Sequence, residues 1–299
     1  MNATSTNTLP LVAVVIPVFK DQVRLKLCLQ ALQNQTYPDS CFNVVVVDNE
    51  PSAETQELCL ATPKVRYLVE RTPGSYAARN TGLQEASSAS IYAFTDSDCI
   101  PQADWIENGV AALEVSEMCD LVGGRVELFF KDKKHRSVAE IYESVVAFPQ
   151  KRYVERGGWA VTANLFVRSD VFEKVGYFDQ TLQSGGDMEW GKRASSRGMQ
   201  ICYADNVVVR HPARAAISEL RAKVRRVAGG GYLRLRRSDP SFYGFARKLV
   251  KDLIKWEPDT RRQIRESDLS MTQKLRVYGL WTYLKYVRVK EFLRLRFVS

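Results

Sequence analysis

The sequence predicts an α/β fold: a Rossmann-like, mostly parallel central sheet with helices on both faces, followed by a basic helical C-terminal region. Three observations carry this. Short β-branched runs alternate with helical periodicity through the first hundred residues, the pattern of a parallel sheet wrapped by helices. The runs end in polar residues, and ligands in such sheets sit beyond the C-terminal strand ends. The charge is split: residues 1–212 hold 21 Lys and Arg against 26 Asp and Glu, residues 213–299 hold 22 against 8.

Leu11 to Ile16 is a continuous apolar run stopped by Pro17 and reads as a strand buried on both faces. Residues 21–35 follow as a helix, Phe42 to Val47 as the second strand, residues 52–61 as a helix, and Val65 to Val69 as the third strand. Residues 75–88 read as a helix and Ile91 to Thr95 as the fourth strand. Farther on, Asp104 to Glu117 reads as a helix, Leu121 to Phe130 as strand, residues 131–158 as a mobile basic loop, Gly185 to Arg197 as a helix and residues 201–210 as strand. Three domains are expected: a disordered tail over 1–10; a body over 11–212, with a nucleotide-binding half (11–100) and an acceptor half (101–212); and a basic helical region over 213–299.

Six scattered cysteines without Cys-x-x-Cys spacing read as reduced thiols of a cytosolic protein. The first ten residues are polar and Leu11 to Ile16 is too short for a signal peptide or membrane span. No Gly-x-Gly-x-x-Gly follows the first strand and no Gly-Lys-Ser/Thr occurs, which removes dinucleotide and Walker-type nucleotide binding.

The chemistry-bearing motif is Thr95-Asp96-Ser97-Asp98. Residues two apart in a strand share a face, so Asp96 and Asp98 are expected to aim two carboxylates at one point. Such a pair is relieved by a hard cation, Mg2+ or Mn2+, that also takes substrate phosphates. The alternative is a solvated turn. In the C-terminal region Val277, Leu280, Trp281, Leu284 and Val287 recur at helical spacing amid cationic side chains. This reads as a basic amphipathic helix at an anionic membrane interface, or as a stripe packed on the body. Nucleic acid is not expected, because no RNA-binding aromatic motif or helix-turn-helix pattern occurs.

Taken in order, Val15-Ile16-Pro17-Val18-Phe19-Lys20, Val47-Asp48-Asn49, Gly74 with Arg79-Asn80 and Gly82-Leu83, Thr95-Asp96-Ser97-Asp98, Ala163-Asn164-Leu165-Phe166, Gly176-Tyr177-Phe178-Asp179 and Gly186-Asp187-Met188-Glu189-Trp190 resemble family 2 glycosyltransferases. The resemblance covers about residues 11–212. It implies the GT-A fold and an inverting transfer of sugar from a nucleotide-diphosphate sugar, UDP-linked by preference, with Mn2+ or Mg2+. The acceptor would be a glycan or a lipid-linked hydroxyl in surface polysaccharide or glycolipid synthesis, with the protein peripheral on the cytoplasmic side of the inner membrane. Asp98 is then the metal ligand, with Asp96 on metal or ribose and His211 as a further ligand. Pro17, Phe19, Asp48, Arg79, Asn80, Asp96 and Ser97 would hold the donor; Asp48 could equally cap the following helix. Asp187 is the implied catalytic base, with Glu189 two residues away as the other candidate. Glu189, Trp159 and Trp190 would meet the acceptor, the tryptophans alternatively serving as core. Gly74 would allow a turn. The family's usual Asp-Asp-Gly-Ser is here Asp48-Asn49-Glu50-Pro51. A sugar-phosphate nucleotidyltransferase and a membrane-associated scaffold with a degenerate transferase domain are the alternatives. The first lacks its Gly-rich loop, and intact Asp96, Asp98 and Asp187 argue against the second.

Overall fold

The computed structural model describes residues 9–115, 119–132, 134–254 and 258–297; most of the expected N-terminal tail lies outside them. The chain divides into two compact units. The first contains residues 9–127, Gln150–Thr181 and Asp187–Arg210; the second contains Leu128–Pro149, Leu182–Gly186 and residues 211–297. The C-terminal boundary falls at 210/211 rather than 212/213, and two earlier segments, 128–149 and 182–186, join the basic part instead of the acceptor half.

In chain order the elements are β1 (Val12–Val18), α1 (Gln22–Gln33), β2 (Phe42–Asp48), α2 (Ala53–Leu60), β3 (Val65–Val69), α3 (Ser75–Glu85), β4 (Ile91–Thr95), β5 (Ile100–Pro101), α4 (Trp105–Glu114) and β6 (Leu121–Phe129). Then come α5 (Val138–Val146), α6 (Gln150–Gly157), β7 (Asn164–Arg168), α7 (Ser169–Val175), α8 (Gly186–Ser196), β8 (Ile201–Pro212), α9 (Ile217–Ser238), α10 (Phe242–Ile254), α11 (Pro258–Glu266) and α12 (Met271–Phe297). The strands form one sheet in the order β3-β2-β1-β4-β7-β6-β8-β5. Its first half is parallel, with Val12 opposite both Phe42 and Ile91, and Val44 opposite Val65. Beyond β4 the direction reverses: β7 runs antiparallel to β4, β6 to β7, and β5 to β8, where Ile100 meets Arg210.

Every residue of β1 is buried, as a strand covered on both faces requires. One face packs Val14, Ile16 and Val44 against Leu25, Leu29 and Leu32 of α1 and Trp105 of α4. On the other face α3 lies tight against the sheet. A Cβ built on Gly82 would stand 2.6 Å from the Val15 side chain, so only glycine fits there.

Three expectations are corrected. The range 131–158 is not one loop, since it contains α5 and α6. Ser137 accepts from the backbone N–H of Glu140 (3.1 Å), and Glu140 accepts from that of Ser137 (2.7 Å). That capping box starts α5. The cysteines are not all reduced: Cys119 and Cys202, 83 residues apart, form a disulfide with Cα atoms 6.0 Å apart. A disulfide joins residues distant in sequence, so spacing carried no sign of it. Finally, the apolar stripe of α12 is the core of the second unit. Val277 and Trp281 pack on Ile141 and Ile264, and Leu280 and Leu284 on Ala139 and Leu220. Among the described residues no helix is long and apolar enough to cross a membrane.

Candidate active site

The site begins where β4 stops. Thr95 turns its hydroxyl inward, donating to the carbonyl of Ala163 (3.1 Å). The chain then closes a turn in which the N–H of Cys99 donates to the carbonyl of Asp96 (3.0 Å). Asp96, Ser97 and Asp98 therefore lie in a turn beyond the strand. The turn, and not strand alternation, brings the two carboxylates together, each offering an oxygen within 4.8 Å of the other. Ser97 is nearly buried in the same turn.

The surroundings suit a hard cation. Beneath the turn, Cys28 and Cys99 have their thiol pKa pushed up, first by burial and then by Asp96 and Asp98. They stay protonated, which leaves the carboxylate oxygens as the donors of this turn, and such oxygens suit Mg2+ or Mn2+. Arg24 of α1 lies 3.5 Å from Asp98.

Arg79 of α3 is only 3 % exposed. Its Nη2 makes a short ion pair with Asp96, Nη1 donates to the carbonyl of Ser75 (3.3 Å), and its buried Nε has no partner. An orphaned buried guanidinium N–H beside a carboxylate pair is what an absent anionic group would leave. The Tyr76 ring lies 5.6 Å from the Arg79 guanidinium. The Tyr76 hydroxyl donates to Asp187 Oδ1 (3.2 Å).

Asp187 is half-buried in the first turn of α8, where its Oδ1 also accepts from the Met188 N–H (2.9 Å). Burial raises its pKa. The Met188 N–H, Arg79 and Tyr76 work against the rise without cancelling it, and Asp96 adds to it. A carboxylate held this way is a better proton acceptor than an ordinary aspartate. Asp96, Arg79, Tyr76 and Asp187 thus form one continuous chain of contacts.

The other expected residues divide. Glu189 is bound to Arg193 through two hydrogen bonds (2.9 and 3.2 Å), and Arg193 also donates to the carbonyls of Val175 and Tyr177. Glu189 therefore braces α8 through Arg193. Trp190 is no sugar platform: it is fully buried, stacks on Phe172 at 4.7 Å and donates to the Gly176 carbonyl (2.7 Å). Trp159 is half-buried and stacks on Tyr153 at 4.2 Å. Asn80 uses its amide on the backbone of Phe178, donating at 2.9 Å and accepting at 3.0 Å, and so ties α3 to that segment.

Asp48 is fully buried, accepting from the Glu50 N–H (3.0 Å) and the Tyr67 hydroxyl (3.2 Å). Burial raises its pKa as well, and its oxygens hold the strand end together; the cap of α2 is Ser52. Pro17 is buried within β1, whereas Phe19, 59 % exposed, is presented beyond it. Gly74, at φ 126°, is a turn residue before α3. His211 belongs to the second unit, where its ring lies 4.7 Å from Phe148. Its Nδ1 donates to the Pro212 carbonyl at 2.7 Å. Sequence reasoning missed Tyr76 and Arg24. Tyr76 lies three residues before Arg79, on the same helix face, and that spacing was the available signal.

Comparison with known proteins gives the family and the fold. The family model "Glycosyl transferase family 2" matches residues 13–176. Glycosyltransferase AglE of Haloferax volcanii is 42 % identical over 230 residues, covering 75 % of this chain and 74 % of that protein. Pre-mycofactocin glycosyltransferase of Mycobacterium tuberculosis is 26 % identical over 218 residues, 70 % of this chain and 44 % of that one. Among solved structures, a mannosyltransferase of Pyrobaculum calidifontis in complex with GDP-Man and Mn2+ superimposes with a TM-score of 0.65. It shares 16 % identity, with 98 % of this chain and 89 % of that chain covered. TarS of S. aureus in complex with UDP gives 0.54 at 16 % identity, covering 97 % and 92 %. The fold is GT-A, and the chain belongs to glycosyltransferase family 2.

Proposed function

We propose that the protein transfers a sugar, with inversion, from a nucleotide-diphosphate sugar to a hydroxyl of a glycan or lipid-linked acceptor, in surface polysaccharide or glycolipid synthesis. The observation that carries this is the chain of contacts from Asp96 through Arg79 and Tyr76 to Asp187. It couples an acidic pair suited to a cation with a carboxylate suited to accept a proton.

Asp98 and Asp96 would hold Mn2+ or Mg2+. His211 is the third candidate ligand, imidazole being a common partner of carboxylates at such ions. A cation bound there supplies neutralisation of the leaving diphosphate. Arg79 adds a fixed positive charge beside the phosphates. Ser97 and Phe19 border the donor, Phe19 by stacking on the base. Asp187 takes the proton from the acceptor hydroxyl as that oxygen attacks the anomeric carbon. A single displacement on one face inverts that carbon. Trp159 offers a half-exposed ring to the acceptor. GDP-Man and UDP are bound by the structural neighbours named above, and UDP is our preferred nucleotide here. The cytoplasmic side of a membrane is the proposed place of action, with the protein peripheral, since the second unit carries the basic charge.

The test is a calorimetric titration of nucleotide diphosphates, with and without Mn2+, on the wild type and Asp98→Ala. Tight binding of one nucleotide that needs both the metal and Asp98 supports the reading. If no nucleotide binds in a metal-dependent way, the reading is wrong.

A further inference from the structure

The second unit carries a cleft that the sugar transfer does not use. Its volume is about 440 Å3, and it is lined from α9 by Arg221 and Arg225 and from α12 by Tyr283, Tyr286, Lys290 and Arg294, with Glu291 at its wall. Arg221 and Arg225 are one helical turn apart, as are Lys290 and Arg294. Like charges at that spacing cost helix stability, and here two such pairs line one cavity. The only carboxylate lining it, Glu291, is taken by Arg294 through hydrogen bonds of 2.6 and 3.1 Å. Four cations against one anion leave a strong positive excess in a concave space, the complement of a phosphate.

The rim shows which phosphate. Tyr283 and Tyr286 are exposed beside the cations, and Leu293 and Phe297 continue the same outward side of α12. The opposite side is the buried stripe of Val277, Leu280, Trp281 and Leu284. One face of the helix is therefore core, and the other interleaves cations with aromatic rings. Tyrosines and cations arranged this way match the headgroup layer of an anionic bilayer, where the rings sit at the interface and the charges meet lipid phosphate. A free phosphate in solution would gain nothing from the exposed rings.

We propose that this cleft between α9 and α12 binds the phosphate headgroup of an anionic phospholipid and docks the protein on the bilayer surface. The inference rests on the peripheral-membrane part of the proposed function. It fails or stands apart from the nucleotide titration, because vesicle binding requires no donor.

The experiment is flotation of the full chain with vesicles of phosphatidylcholine alone and of phosphatidylcholine mixed with phosphatidylglycerol. The wild type, Arg225→Glu/Lys290→Glu in the cleft, and Arg236→Glu/Arg276→Glu outside it are compared, with thermal melts to check folding. We expect the wild type to float only with phosphatidylglycerol vesicles. The cleft variant should lose at least about tenfold in partitioning, the equivalent of two basic side chains leaving the surface, and the outside variant should lose clearly less. Equal losses would mean diffuse charge and no site. Failure of the wild type to float, or displacement from vesicles by soluble glycerol phosphate at matched phosphate concentration, would overturn the proposal.

Discussion

A half-buried carboxylate in the first unit and a buried one in the second are opposites. Asp187 in the first unit has a tyrosine hydroxyl and a backbone N–H for partners, and its pKa is raised, chiefly by burial. Glu143 in the second unit is as deeply buried as a side chain can be, but it accepts from Arg214 and Lys223, each at 2.9 Å. Burial would raise its pKa, yet Lys223 and Arg214 outweigh that and hold it below the ordinary range. The first carboxylate is under-compensated and the second fully paired. An under-compensated acid is reactive and costs stability; a paired one is inert and holds helices together.

The sharpest way to break this comparison is Asp187→Asn. Loss of a general base typically costs about 10²–10⁴-fold in turnover, and we expect a loss in kcat of that order. The same variant should melt above the wild type at neutral pH. A raised folded-state pKa means that ionised Asp187 opposes folding above that pKa, and the penalty vanishes below the unfolded pKa. The gain in Tm should therefore shrink as the pH falls. A variant that is inactive but no more stable would show that burial is not what tunes the group.

Glu143→Ala should act in the opposite sense. Removing one partner of a buried ion cluster costs about 3–5 kcal/mol, measurable by chemical denaturation. Because the folded-state pKa of Glu143 is depressed, its contribution is present above the unfolded pKa and lost as the pH falls through the folded value. The gap between wild type and variant should then close in acid. The smallest effect is expected from Tyr76→Phe. It removes one hydrogen bond to Asp187, about 0.5–1.5 kcal/mol, and with it a contribution that lowers the Asp187 pKa. The acid limb of the kcat/KM profile should move to higher pH, with a loss of no more than about tenfold at its plateau.

How far the sequence could be read differs between the units for the same physical reason. The parallel half was legible because its strands are covered on both faces and appear as unbroken apolar runs; β1 and β2 fall within two residues of their expected bounds. The reversal beyond β4 was not legible, since strand direction is set by connections rather than composition. Asp96 and Asp98 were found by residue type, but the turn that joins them replaced the expected strand geometry. Trp190 and Trp159 are indistinguishable as letters; only packing on Phe172 makes the first a core residue. The stripe of α12 had the right period, but an amphipathic helix reads the same whether its partner is a lipid or Leu220. The missed capping box at Ser137 and Glu140 was legible and would have turned the supposed loop into helix.

Gly82 gives the fold a mechanical property. The helix that carries Tyr76 and Arg79 rests on β1 at a point where a single methyl group would not fit. That helix acts as a gauge block, with the thickness of one hydrogen atom setting the height of the guanidinium over the acidic turn. The site's working tolerance is therefore fixed beneath it, at a residue that touches no ligand.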